Sequence, residues 1–131
     1  MSTIKARLVN RHGYYLEVQS NGTITSNVKG DSLYGILEFQ TTNFGEMTIK
    51  GKETSLYIYV KPDGSLATTK TNNTGTNTLS WAEQKTKQMF STFSSVSIGN
   101  YLSIRNNGKV KTAKKSSAQL GRSEMWFVQT V

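Results

Sequence analysis

Three segments of this chain align without a gap: YYLEVQSNGTITS from Tyr14, LYIYVKPDGSLAT from Leu56 and NYLSIRNNGKVKT from Asn100. Tyr15, Tyr57 and Tyr101 correspond, as do Leu16, Ile58 and Leu102, then Val18, Val60 and Ile104. Gly22, Gly64 and Gly108 follow, and after them Ile24, Leu66 and Val110. The segments begin at residues 14, 56 and 100, so 42 and 44 residues apart. A repeat of this length fixes the fold more tightly than composition can, because each copy must form the same local structure and share a core with its neighbours. Three units, about 4–43, 44–86 and 87–131, fill one domain of residues 1–131.

Each segment reads as a β-hairpin. Leu16 and Val18 alternate with polar neighbours, as do Leu102 and Ile104, which is the two-residue period of a half-buried strand. Between the strands stand Ser20-Asn21-Gly22, Pro62-Asp63-Gly64 and Asn106-Asn107-Gly108. Glycine supplies the positive φ that tight hairpin turns need, and Asn or Asp tolerates it alongside. Further strands are expected before each hairpin, at Ala6–Asn10, Met47–Lys50 and Phe93–Ile98. Others are expected after it, at Ile36–Gln40, Leu79–Glu83 and Met125–Gln129. In the last set Leu37 and Phe39 are aligned with Leu79 and Trp81, then with Met125 and Phe127, all facing inward. Residues Gln84–Gln88 and Thr68–Thr78 are taken as loops, the second a solvated polar excursion.

Four strands in each of three units make twelve. Separate sheets of this size would leave edges open, and closure into one barrel removes them. The expected fold is therefore all-β: a β-trefoil of twelve strands in three pseudo-threefold repeats.

The charge is as unevenly placed as the repeat is regular. Between Gln84 and Ser123 lie Lys85, Lys87, Arg105, Lys109, Lys111, Lys114, Lys115 and Arg122, with no Asp or Glu. These are eight of the chain's 16 basic residues, and the other eight are balanced by its 8 acids, so the whole excess of +8 belongs to this span. If Val110 faces the core, Lys109 and Lys111 share the opposite, wet side of their strand. Lys114, Lys115 and Arg122 then bracket the loop SSAQLG. A patch of one sign attracts polyanions and gains from the counterions they release. Binding is preferred here to a merely solvated face because the asymmetry is total.

Other chemistries have less support. A chain of 131 residues buries enough surface to fold without staples, and it has no cysteine for a disulfide or thiolate site. His12 is the sole histidine, set in an expected turn with Glu17 its only nearby acid, so an exposed loop imidazole is favoured over a catalytic one. No metal site, cofactor or enzymatic activity is expected. No apolar run reaches membrane-spanning length, and MSTIKARLVN lacks the apolar stretch of a signal peptide. Tyr15, Tyr57 and Tyr101 are read as structural, whereas the unrepeated Tyr14 and Tyr59 are candidate interface residues. Asn21-Gly-Thr23 and Asn72-Asn-Thr74 fit the N-glycosylation triplet, a pattern common by chance in a chain rich in Thr and Asn.

Residues Met47–Thr69, MTIKGKETSLYIYVKPDGSLATT, resemble the central segment of fibroblast growth factors. There a strand, a Lys/Gln-Gly turn and Tyr-Leu-x-Met-x-x-x-Gly-x-Leu occur together. Arg7–Gly22 is similar to the family's first hairpin, and the C-terminal GRSEMWFV resembles its Gly-Gln-Lys-Ala-x-x-Phe-Leu ending. The match runs from about residue 5 to 129 in order and spacing. It implies binding of heparin or heparan sulfate by the basic stretch, with Arg105, Lys111, Lys115 and Arg122 at family sulfate contacts. Arg11 and His12 lie where the family places a sulfate-binding Asn. Lys109 and Lys114 join this set on charge and position alone. Ser123 stands in place of an expected lysine, and Glu124 adds an acid.

The resemblance also implies a cell-surface receptor of the fibroblast growth factor receptor kind. Val9 stands where the family uses a Tyr, Phe90 where it uses another, and Phe93 matches a nearby aromatic. Ala82 beside Glu83 replaces a receptor-contacting Glu, and Val128, Gln129 and Thr130 occupy the C-terminal contact positions. With Tyr14, the residues Val9, Phe90, Phe93 and Val128 form the expected receptor set. The expected function is a secreted growth-factor-like ligand, monomeric without glycosaminoglycan. The alternative is an intracellular trefoil adaptor for an acidic protein such as actin or a channel tail. A ricin-type lectin is disfavoured because Gln-x-Trp is absent. Arg105–Arg122 has no aromatic to stack bases, so no specific nucleic acid is expected.

Overall fold

The three hairpin turns are built alike, residue for residue. The amides of Gly22, Gly64 and Gly108 donate to the carbonyls of Gln19, Lys61 and Arg105 at 3.0, 2.8 and 2.9 Å, and all three glycines hold φ near +90°. Asn21, Asp63 and Asn107 each accept a hydrogen bond from the backbone amide two residues on, which closes the turn from its side chain. The turn chemistry written three times in the sequence is thus realised three times.

The computed structural model describes residues 2–70 and 79–131. Among these residues twelve strands form one antiparallel sheet. They are β1 (Thr3–Asn10), β2 (Tyr15–Val18), β3 (Ile24–Asn27), β4 (Leu37–Asn43), β5 (Glu46–Gly51) and β6 (Tyr57–Val60). The second half comprises β7 (Leu66–Thr69), β8 (Trp81–Lys85), β9 (Ser91–Ser95), β10 (Tyr101–Ile104), β11 (Val110–Ala113) and β12 (Trp126–Thr130). The pairings β1–β4, β4–β5, β5–β8, β8–β9, β9–β12 and β12–β1 close a six-stranded ring. Hairpins β2–β3, β6–β7 and β10–β11 branch from β1, β5 and β9. This is the β-trefoil that the repeats require.

The core follows the repeat. Leu16 and Val18, Ile58 and Val60, and Leu102 and Ile104 are all buried, as are Ala6, Leu8, Leu37 and Ile49 from the ring. The hairpins are tied to one another in a cycle. The hydroxyls of Ser26, Thr68 and Thr112, at the same position of each repeat, donate to the carbonyls of Gly108, Gly22 and Gly64 at 2.5, 2.7 and 2.5 Å. Replacing Thr112 by the near-isosteric Val leaves the Gly64 carbonyl without this donor. A loss of about 1–2 kcal/mol is expected in urea denaturation, and an unchanged midpoint would remove the cycle from the list of what holds the hairpins together.

Four expectations are corrected. Met125 and Phe127 do not face inward: Trp126 is 0% exposed and Phe127 is 52% exposed. The indole N–H of Trp126 donates to the Leu102 carbonyl at 3.1 Å, as that of Trp81 does to the equivalent Ile58 carbonyl at 3.0 Å. Trp126 is therefore the counterpart of Trp81, and the last strand is shifted by one residue from the expected register. The strand expected at Phe93–Ile98 runs Ser91–Ser95, because the chain turns at Ser95, whose carbonyl accepts from the Gly99 amide at 2.8 Å. Gln84 and Lys85 extend β8 instead of looping, paired with Thr92 and Ser91. Thr68 and Thr69 belong to β7, paired with Ile58 and Tyr57, while residues 71–78 of the expected loop, with the Asn72 triplet, lie outside the described residues.

Candidate functional site

The basic residues converge where hairpin β10–β11 meets the segment leading into β12. Ser103 and Lys111 are paired across β10 and β11, so their side chains share one face. Arg105 follows at the end of β10, and Lys114 and Lys115 follow β11. Arg105, Lys111, Lys114 and Lys115 line one cavity of about 210 Å³, together with Ser123 and Glu124. Cations this close repel one another unless an anion lies between them, so the arrangement favours a bound anion over an empty cavity.

Glu124 is the anion the chain supplies itself. It is 1% exposed, at the end of a 3-10 turn, Arg122–Glu124. Its Oε1 accepts from the Lys115 ammonium and from the Gly121 amide, each at 3.0 Å, and its Oε2 accepts from the Ser103 hydroxyl at 2.9 Å. Lys115 is thereby neutralised from inside, while Arg105, Lys111 and Lys114 take part in none of the ion pairs among the described residues.

Of the seven expected sulfate contacts, the other three lie off this cavity. Lys109 points to solvent from the third hairpin turn, and Arg122 is exposed on the 3-10 turn. Arg11 is engaged elsewhere: its guanidinium sits 4.7 Å from the centre of the Phe90 ring and donates to the Met125 sulfur at 3.5 Å. A guanidinium over an aromatic face is held by the ring quadrupole. His12 is not a free loop imidazole. It is half-buried, with Nε2 3.0 Å from the hydroxyl of Ser123, a cavity residue. Asn10 fixes this whole turn from below. Its buried amide donates to the Ile104 carbonyl at 2.7 Å, while its side-chain oxygen accepts from the amides of His12 and Tyr14.

The expected receptor set divides as well. Val9 is half-buried on β1 and directly opposite Phe127 on β12, so the two share the barrel's outer face. Phe90 is half-buried beneath Arg11. Phe93 is a core residue, wholly buried with its ring 6.1 Å from that of Phe39, and it offers nothing to a partner. Val128 pairs with buried Leu8 and packs inward against the core. Tyr14 also packs on the core, and its hydroxyl donates to the Asn106 carbonyl at 3.1 Å, which braces the third hairpin turn.

Two exposed apolar residues outside the expected set were missed. Phe127 was assigned to the interior by the one-residue misalignment of β12; pairing the two tryptophans, Trp81 with Trp126, would have exposed it. Met89 is the other, 70% exposed and held at φ 71°. Its amide donates to the Thr86 carbonyl at 3.0 Å, in the same bonding pattern as the hairpin glycines. A side chain with a β-carbon is strained in this conformation. Replacing Met89 by Gly is expected to raise stability by about 1 kcal/mol, read from the thermal midpoint. A fall would show that Met89 packs against something that outweighs the strain.

A trefoil that gathers cations around one cavity, with an apolar pair on its outer face, has surfaces suited to recognition. Comparison with known proteins gives the family. The family model described as Fibroblast growth factor matches residues 4–127. A curated Danio rerio protein named "Putative fibroblast growth factor 1" is 25% identical over 118 residues, which cover 88% of this chain and 76% of its own length. The chain belongs to the fibroblast growth factor family, and its role is that of a growth-factor-like signalling protein.

Proposed function

We propose that this chain is a signalling ligand that binds heparin or heparan sulfate and a cell-surface receptor tyrosine kinase, and so acts outside the cell. One observation carries the first half. Arg105, Lys111 and Lys114 line a single cavity and take part in no ion pair among the described residues. A sulfated chain laid across them replaces mutual repulsion by three charge-assisted contacts and releases its own counterions. The receptor half rests on the outer face where Val9 and Phe127 pair, with half-buried Phe90 and exposed Met89 leading into the strand beside β12. An exposed aromatic beside half-buried apolar residues is the composition of an interface centre.

Replacing Arg105, Lys111 and Lys114 together by Ala is expected to move elution from a heparin column to markedly lower salt, with little change in folding. Unchanged elution refutes the assignment. Replacing Phe127 by Ser should weaken binding to the receptor ectodomain at least about tenfold, the loss associated with removing one buried aromatic anchor. Heparin elution should stay where it was, because Phe127 lines no part of the basic cavity. Full receptor binding by this variant overturns the receptor face.

A further inference from the structure

The wall that carries Lys111 and Lys114 has two sides. On one side is the basic cavity; on the other is a larger, open one of about 840 Å³, lined by residues of all three hairpins. Lys111, Thr112 and Lys114 line both. The floor of the larger cavity is apolar and threefold, formed by the equivalent residues Ile24, Leu66 and Val110, which rest on the core. Above the floor stand the polar side chains of Thr23, Ser65 and Asn100. On the hairpin facing the lysines is Asp63. Hydrogen bonds from the Ser65 hydroxyl at 2.7 Å and the Ser65 amide at 3.0 Å hold its carboxyl below the usual carboxylate range, so it is charged at neutral pH.

This is an amphipathic, hydroxyl-lined site with a cationic side and an anionic side. A sugar ring has matching surfaces: C–H faces that pack on Ile24, Leu66 and Val110, and hydroxyls that pair with the rim. A flat hydrophobic ligand would strip water from the charges of Lys111, Lys114 and Asp63 without replacing it, and a uniformly anionic one would meet Asp63. Building on the glycan reading above, we propose that the sulfated chain continues from the basic cavity over β11 into the hairpin cavity. There it places sulfates against Lys111 and Lys114 and an unsulfated sugar unit beside Asp63. The protein then reads both the length of the glycan and where its sulfates stop.

The test uses the full chain and size-fractionated heparan sulfate fragments, from tetrasaccharide upward, with affinities measured calorimetrically. Length alone raises affinity for any polyanion, so two variants isolate the second cavity. Ala67, which lines it, is replaced by Trp to fill it. Asp63 is replaced by Asn, which the turn accepts because Asn21 and Asn107 hold the equivalent positions and make the same amide hydrogen bond. In A67W, short fragments should bind as to wild type while long fragments lose about tenfold, the size of one charge-assisted contact set. In D63N, long, fully sulfated fragments should gain several-fold and short ones should be unchanged. Length curves of both variants that superimpose on wild type, with short fragments still bound, overturn this extension alone. Absence of binding by fragments of every length overturns the glycan reading with it.

Discussion

Replacing Trp126 by Ala is expected to destabilise the protein by about 4 kcal/mol, in the range for removing a wholly buried large aromatic. For a chain of this size that lowers the thermal midpoint by about 10–20 °C. Two losses combine. The side chain is one of the largest in the core at 0% exposure, so its removal opens a cavity that a rigid barrel wall cannot collapse to fill. Its indole N–H also satisfies the Leu102 carbonyl, which would be left buried and unpaired. Replacing the neighbouring Phe127 by Ala should change stability by only about 0.5 kcal/mol, since that ring stands largely in water. Circular dichroism of the two variants decides the register of β12. A larger loss at Phe127 than at Trp126 would reverse it, and with it the position of the proposed receptor face.

The second large effect is expected at Glu124, where stability and binding should move in opposite directions. Its carboxylate gathers Lys115, the Gly121 amide and the Ser103 hydroxyl at a buried point. Replacing it by Gln keeps the shape but leaves the Lys115 charge without a counter-charge and mismatches one donor. A loss of about 2–3 kcal/mol is expected. This is below the full cost of breaking a buried pair because Lys115 itself retains contact with water. The same change releases one cation into the cavity. Heparin should then elute at higher salt, and the dependence of log affinity on log salt should steepen by about one. A variant both less stable and weaker in heparin binding would show that Glu124 holds the cavity open rather than restraining it.

Particular residues show what the sequence made legible. The hairpins were readable because each carries its own complete signal: alternating apolar residues, an Asn or Asp, and a glycine at the position of positive φ. The closing strand was not, because Met125, Trp126, Phe127 and Val128 form an unbroken apolar run with no period to choose a face. The preceding 3-10 turn then sets the register one residue away from the simple alignment. The cationic span was legible from its lack of acids. Glu124, one residue beyond Ser123, was legible as an added acid, but its burial and its bond to Lys115 were not. Contacts between distant segments were beyond reach for the same reason. That Arg11 stacks on Phe90, or that Phe93 meets Phe39, depends on ring closure that no local pattern encodes.

That closure is also what turns dispersed lysines into a site, and the salt dependence of heparin affinity tests it most directly. The slope of log affinity against log salt should be measured for three chains: wild type, the triple alanine variant at Arg105, Lys111 and Lys114, and a second at Lys5, Lys29 and Lys52. The second set consists of exposed lysines away from the cavity, so it removes the same formal charge. The cavity variant should lose about two to three from the slope, one for each contact given up, and the distant variant less than one. Equal losses in the two variants would mean that overall charge, and not the cavity at the third hairpin, holds the polyanion.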